Sequence, residues 1–184
     1  HYVTPNGDSY PSVTTVLSKM SEKAIAAWRN RVGEEAANKK STQARIRGKT
    51  FHEICDDYVN NDPNCIVGAM PDQIDLFVGA KKFLDKSLER VYGNEFAIWC
   101  DALKAAGTVD LFCKFQGLNT ILDFKTSGKT KREEWILSYF MQCTAYAMSV
   151  EERWPRVKVP QVAVIIAVEN DAPQLFVRRT DDYR

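Results

Sequence analysis

The run Val162-Ala163-Val164-Ile165-Ile166-Ala167-Val168 is apolar throughout and mostly β-branched. It is short for a buried helix, and it has no polar position to turn toward water. It predicts a strand covered on both faces, and therefore an α/β domain in which helices sandwich a sheet. The rest of the chain must supply the covers. From Pro71 a helical pattern runs through Ile74, Phe77, Val78, Leu84, Leu88 and Val91. Lys131–Val150 returns to helical spacing at Trp135, Tyr139, Phe140, Cys143 and Ala147. Between these two patterns the period falls to two. Glu95–Trp99, Gly107–Phe115 and Leu118–Lys125 read as strands, the last two joined by a turn at Gln116-Gly117, and Leu175–Arg178 adds another. Upstream, Ser12 is placed to cap a helix over Val13–Met20, and a second covers Glu22–Asn38. Ser41 caps a third, carrying Ile46, Thr50, Ile54 and Tyr58, which ends in the loop Asn60–Asn64. The order is helices, then β-β-β-α-β, with a mixed sheet. No linker divides the 184 residues, so one domain is expected, mainly helical over 1–92 and carrying its sheet over 93–184.

Composition narrows the classes. A chain that is 45% hydrophobic and 27% charged suits an ordinary folded core. No stretch of about 18 apolar residues is present, so no membrane span is expected. The net charge of +1 conceals an asymmetry: residues 1–50 carry nine Lys/Arg against four Asp/Glu, whereas residues 51–75 carry six acids and no base. A basic quarter is a phosphate-facing surface or a solvated face, and charge alone favours the second. Five scattered cysteines without a C-x-x-C pair exclude a zinc ribbon and a thioredoxin motif. They read as reduced core thiols in an intracellular, cytoplasmic protein. The opening His1-Tyr2-Val3-Thr4 has neither a basic nor an apolar leader region and reads as a trimmed boundary.

Chemistry concentrates in the hairpin. In Ile121-Leu122-Asp123-Phe124-Lys125, side chains alternate, so Asp123 and Lys125 share a face about 7 Å apart. A two-residue loop sets Asp110 opposite Asp123; a four-residue loop sets it opposite Lys125. Either register gathers two carboxylates and an ammonium on one face. Such a group can hold a hard divalent cation beside a water to be activated, or form a cross-strand ion pair on a wet face. His52, the only internal histidine, follows Gly48 by four residues on a helix, and Gln142 and Tyr146 stand one helical turn apart. Each alone is an ordinary structural feature.

Taken in order, Gly48-Lys49-Thr50-Phe51-His52-Glu53, Gly107-Thr108-Val109-Asp110, Leu122-Asp123-Phe124-Lys125-Thr126-Ser127 and Gln142…Tyr146 resemble the PD-(D/E)XK nucleases of the RecB-like exonuclease branch. Tyr10-Pro11-Ser12-Val13-Thr14-Thr15-Val16-Leu17 adds to the likeness, which spans roughly residues 10–180. Within that branch the sequence is similar to mitochondrial genome maintenance exonucleases and related phage exonucleases. The resemblance implies a restriction-endonuclease-like core with N-terminal helices arching over the active site. It implies that Asp110, Asp123 and the backbone carbonyl of Phe124 ligate Mg²⁺ or Mn²⁺, that His52 completes or supports the site, and that Glu95 is a weak candidate for a second metal. Lys125 would orient or activate the attacking water. Gln142, Tyr146, Lys49, Ser12, Thr126 and Ser127 would order the site or touch the nucleic acid.

The implied activity is metal-dependent hydrolysis at single-stranded DNA ends by a monomer, in DNA repair, recombination or replication. The compartment is the cytoplasm, or the host's if the source is a phage. The alternatives are an endonuclease of the same fold and a non-catalytic nucleic-acid-binding module. Iron–sulfur members of the branch carry a C-terminal cysteine trio. No cysteine follows Cys143, so no iron–sulfur cluster is expected. Members also continue into a helix after the last strands, whereas this sequence ends at Asp181-Asp182-Tyr183-Arg184. Trp28, Trp99, Trp135 and Trp154 are candidate base-stacking residues, although each reads first as core or core edge. Arg31, Arg45 and Arg47 stand with Lys49 as phosphate partners. Ser127-Gly128-Lys129-Thr130-Lys131 has the composition of a phosphate loop without the spacing of an ATP site.

Overall fold

In the computed structural model, which describes residues 1–184, strand β6 (Gln161–Val168) is buried along its whole length. Its side chains divide between two cores. Val162, Val164, Ile166 and Val168 join one apolar cluster, and Ala163, Ile165 and Ala167 join the other. Strand β5 (Leu118–Ser127) pairs with β6 in parallel, and β7 (Gln174–Arg179) pairs antiparallel on its other side. Beyond β5 lie β4 (Ala105–Phe115) and β3 (Leu88–Cys100), giving the order β3-β4-β5-β6-β7. A parallel pair needs a long crossover, and helix α4 (Leu137–Arg153) provides it. Its Phe140, Cys143, Ala147 and Val150 cover one face of the sheet. Helices α2 (Glu34–Val59) and α3 (Pro71–Ser87) cover the other through Phe51, Ile54, Phe77 and Leu84.

Helix α1 (Val13–Val32) follows a short hairpin of β1 (Tyr2–Val3) and β2 (Ser9–Tyr10) that the pattern did not announce. Ser12 caps α1 as expected, its Oγ accepting the Thr15 N–H at 2.9 Å. The expected break near Ser21 is absent. Ser18 and Ser21 instead donate back to the carbonyls of Thr15 and Ser18, at 2.7 and 3.1 Å, and stay helical. The break falls at Gly33, whose φ of +85° is open to glycine at little cost. Ser41 therefore lies inside α2 and caps nothing. Helix α3 stops at Ser87, so Leu88 and Val91 belong to β3, which begins at Leu88 rather than Glu95. Trp135 lies in a 3-10 turn (Glu133–Trp135) before α4 and is 53% exposed. No helix is long and apolar enough to cross a membrane. All five cysteines are free, and all but Cys65 are buried.

Candidate active site

The turn Gln116-Gly117 sets the site's register. Both residues have positive φ, +51° and +82°, as a two-residue hairpin turn with the twist of its strands requires. Phe115 pairs with Leu118, and the ladder continues to Leu111 and Leu122, which leaves Asp110 opposite Asp123. There the strands part. The Phe124 N–H donates to the Asp110 side chain, at 2.8 Å from Oδ2.

A matching irregularity lies on the other side of β4. Asn94 pairs with Leu111 and Phe96 with Val109, but Glu95 and Asp110 between them do not pair, and Glu95 has a φ of +45°. Side chains change faces across this step. Leu111 packs in the α2–α3 cluster and Val109, two residues away, in the α4 cluster. Asn94 bonds to Asp56 of α2, whereas Phe96 packs against the α4 cluster. A regular strand puts such residues on one face. The kink turns Glu95 and Asp110 toward α2, as bulges beside functional sites do, and a non-glycine residue at positive φ persists only where its surroundings hold it.

Helix α2 meets this corner with His52. Its neighbour Phe51 is buried edge-on against Phe124, with ring centroids 6.1 Å apart, which anchors that turn of the helix to β5. His52 Nδ1 stands 3.6 Å from Asp110 Oδ2 and 3.9 Å from Glu95 Oε1, and one donor atom from each of the three lies within 4.8 Å of the others. Burial disfavours the imidazolium, but Glu95, Asp110 and Asp123 outweigh it and raise the pKa of His52 above its ordinary value. Glu95 is thus as close to His52 and Asp110 as a metal ligand would be, closer than its marginal place in the motif suggests. No sequence signal marks the kink that brings it there.

Asp123 lies next to this trio and is engaged differently. It is 2% exposed, ion-paired with Lys125, and accepts a hydrogen bond from Gln142 Nε2 at 3.0 Å. Burial raises its pKa, against the pull of Lys125. Burial works the other way on Lys125, but Asp123 and Asp110 prevail and hold the ammonium charged. The Lys125 side chain is 22% exposed, with Nζ 5.3 Å from the centroid of the Tyr139 ring.

Gln142 and Tyr146 are both buried. The nucleic-acid contact implied for them does not fit that burial, while an ordering role does. Gln142 fixes Asp123, and the Tyr146 ring lies on the Cα of Gly107, where any Cβ would stand 2.7 Å from Cε1. Gly107 is therefore glycine because Tyr146 occupies its side-chain space. Lys49 is exposed and paired with Glu53 at 3.4 Å, on the open side of His52 with Arg45 and Glu95. Thr126 Oγ1 is 3.7 Å from where a Cβ on Gly48 would stand, so α2 passes close to β5. Ser127 is buried and closes its own loop, donating to the Lys129 carbonyl at 2.6 Å, and Ser12 is occupied as a cap. Ser127 therefore has no free hydroxyl for a strand, whereas the capping bond uses only the Ser12 oxygen as acceptor.

No protein-family model matches the chain. Among curated proteins it is similar to mitochondrial genome maintenance exonuclease 1 of Mus musculus, 25% identical over 132 residues, 67% of this chain and 39% of that protein. The Homo sapiens counterpart is 24% identical over 136 residues, 66% and 38% respectively. The chain thus spans under two fifths of the length of these relatives. A crystal structure of a presumptive exonuclease from Eubacterium rectale superposes with a TM-score of 0.47 at 13% identity, covering 74% of this chain and 60% of that one. The chain is similar to these exonucleases over about two thirds of its own length.

Proposed function

We propose that this chain is a divalent-metal-dependent deoxyribonuclease that hydrolyses phosphodiester bonds at single-stranded DNA ends. The observation that carries the reading is the convergence of His52, Glu95 and Asp110 beside the Asp123–Lys125 pair. The donor set fits a hard divalent cation: carboxylate oxygens with one imidazole. In the unliganded protein the two carboxylates favour protonation of His52, the one group among them able to offset their charge, and a cation would take over that role. His52, Glu95 and Asp110 would hold the Mg²⁺ or Mn²⁺, with Asp123 and the Phe124 carbonyl alongside. When bound, the ion lowers the pKa of a water and offsets charge on the non-bridging phosphate oxygens.

The chain's own groups do the rest. Lys125 keeps its proton, and its ammonium donates to the attacking water or to a phosphate oxygen as negative charge develops there. Asp123 holds that ammonium in place, and Gln142 holds Asp123. The Asp110 bond to the Phe124 N–H fixes the β4–β5 fork on which the site stands. The names of the relatives support an exonuclease, and their partial coverage leaves strand preference to experiment. The test is hydrolysis of an end-labelled single strand in Mg²⁺ against EDTA, for wild type and Asp123→Asn. The substitution should abolish cleavage and leave strand binding in EDTA largely intact. Cleavage by the variant above a few per cent of wild type, or cleavage in EDTA, refutes the assignment.

A further inference from the structure

Beside the site, past Ser127 and Gly128 at the end of β5, a groove of about 870 Å³ runs between α1, α2 and the loop that leads to α4. Four cations line it (Lys40, Arg47, Lys129, Lys131) against two carboxylates, Asp72 and Glu169. Glu169 is already paired with Arg47, whose Nε is buried without a hydrogen-bond partner. Lys40, Lys129 and Lys131 have no acidic partner within ion-pair distance, and burial, with Lys129 adding to it, depresses the pKa of Lys131. Close, unpaired ammonium groups repel each other until an anion joins them.

Aromatic surface lies in the groove and beside it. Trp28 of α1 forms part of its wall. Trp135, 53% exposed on the 3-10 turn, stands next to Lys129 of the groove and Arg132, whose charged ends lie 5.7 and 5.4 Å from its ring centroid. The other two tryptophans are placed differently. Trp99 is covered by the Arg153 guanidinium, 4.8 Å away, and Trp154 lines an apolar pocket with Tyr92, Phe96 and Phe112.

We propose that this groove is a track for single-stranded nucleic acid, with Trp28 and Trp135 stacking bases and Lys40, Lys129 and Lys131 holding the phosphates between them. Cations beside accessible rings fit a chain whose charge lies on its backbone and whose bases are unpaired. A duplex hides its base faces and would leave the rings unused. The inference rests on the nuclease reading for its substrate class, and it adds the path by which the strand reaches the metal corner.

The experiment measures binding of a fluorescein-labelled oligothymidylate by anisotropy in EDTA, over a range of salt. Lys129→Ala/Lys131→Ala should weaken binding and reduce the slope of log affinity against log salt by about 1.4, two phosphate contacts at about 0.7 each. Trp135→Ala should weaken binding about fivefold or more, and Trp135→Phe should restore most of it. With an abasic oligomer of the same length the Trp135 effect should vanish. Should Trp135→Ala melt early, Trp135→Phe against Trp135→Leu, close in bulk, decides the stacking. Wild-type affinity and salt slope in the lysine variant, or an equal Trp135 effect on the abasic oligomer, overturns the track. Hydrolysis by the wild type in Mg²⁺ is scored separately. Hydrolysis with unaffected variants removes the track and keeps the nuclease reading, whereas groove-dependent binding without hydrolysis does the reverse.

Discussion

Replacing Gly107 by alanine tests how the catalytic face is built. A Cβ at Gly107 would stand 2.7 Å from Cε1 and 2.9 Å from Cζ of Tyr146, and nearer still to its hydroxyl. Ordinary carbon contacts lie near 3.5–4.0 Å, so about 1 Å of movement is required. Neither side yields easily. Gly107 is in the ladder opposite Ile98, and the Tyr146 ring is 3% exposed within the α4 cluster. Overpacking of this kind costs about 1–3 kcal/mol, and two immobile partners place it near the top of that range. For a chain of this length, about 3 kcal/mol lowers Tm by roughly 6–12 °C. The assay is thermal and urea unfolding of Gly107→Ala, Tyr146→Leu and the double variant. Because Tyr146→Leu vacates the space the methyl needs, the double variant should be more stable than the sum of the single losses by about 1 kcal/mol or more. Additivity within about 0.5 kcal/mol would show that the ring does not dictate the glycine. Gly107→Ala should also cut cleavage, because Tyr146 lies one turn from Gln142, which holds Asp123.

Other outcomes follow from the same geometry. Lys125→Ala should slow hydrolysis far more than it weakens strand binding, since its ammonium acts on the developing charge; an unchanged kcat removes it from the mechanism. His52→Ala should raise the Mn²⁺ concentration needed for half-maximal cleavage, whereas an unchanged midpoint with a lower Tm would make His52 purely structural. In the metal-free protein the pKa of His52 is raised from 6.5, so its stabilising contribution is complete below that pH and lost as pH rises through the elevated value. Melting curves across pH 6 to 8 should show that decline in wild type and not in His52→Asn. Equal slopes for the two proteins would contradict the proximity of Glu95 and Asp110 to the ring.

Much of the scaffold was legible because it follows from periodicity. The apolar run of β6 required two covers and has them, and Gln116-Gly117 named its own turn. The paired acids on the hairpin, with His52 and Gln142, were legible only as an ordered set, since no one of them distinguishes a site from a salt bridge. What stayed hidden depends on tertiary geometry. Gly33 rather than Ser21 ends α1, because hydroxyls that favour caps can equally bond back along a helix. Glu95 reaches His52 only through a kink at a glutamate, a residue with no preference for positive φ. Trp135 followed the helical spacing of α4 and yet lies outside it, exposed between two cations. The groove it borders joins residues of α1, α2 and the β5–α4 loop that are distant in sequence, so spacing could not assemble it.

The most direct measurement compares linear and covalently circular single-stranded DNA of the same sequence, each labelled and incubated with Mg²⁺ or with EDTA. Digestion of the linear strand in Mg²⁺ alone, with the circle intact, is the predicted result. Nicking of the circle, or loss of the linear strand in EDTA, would contradict a metal-dependent nuclease that acts from a free end.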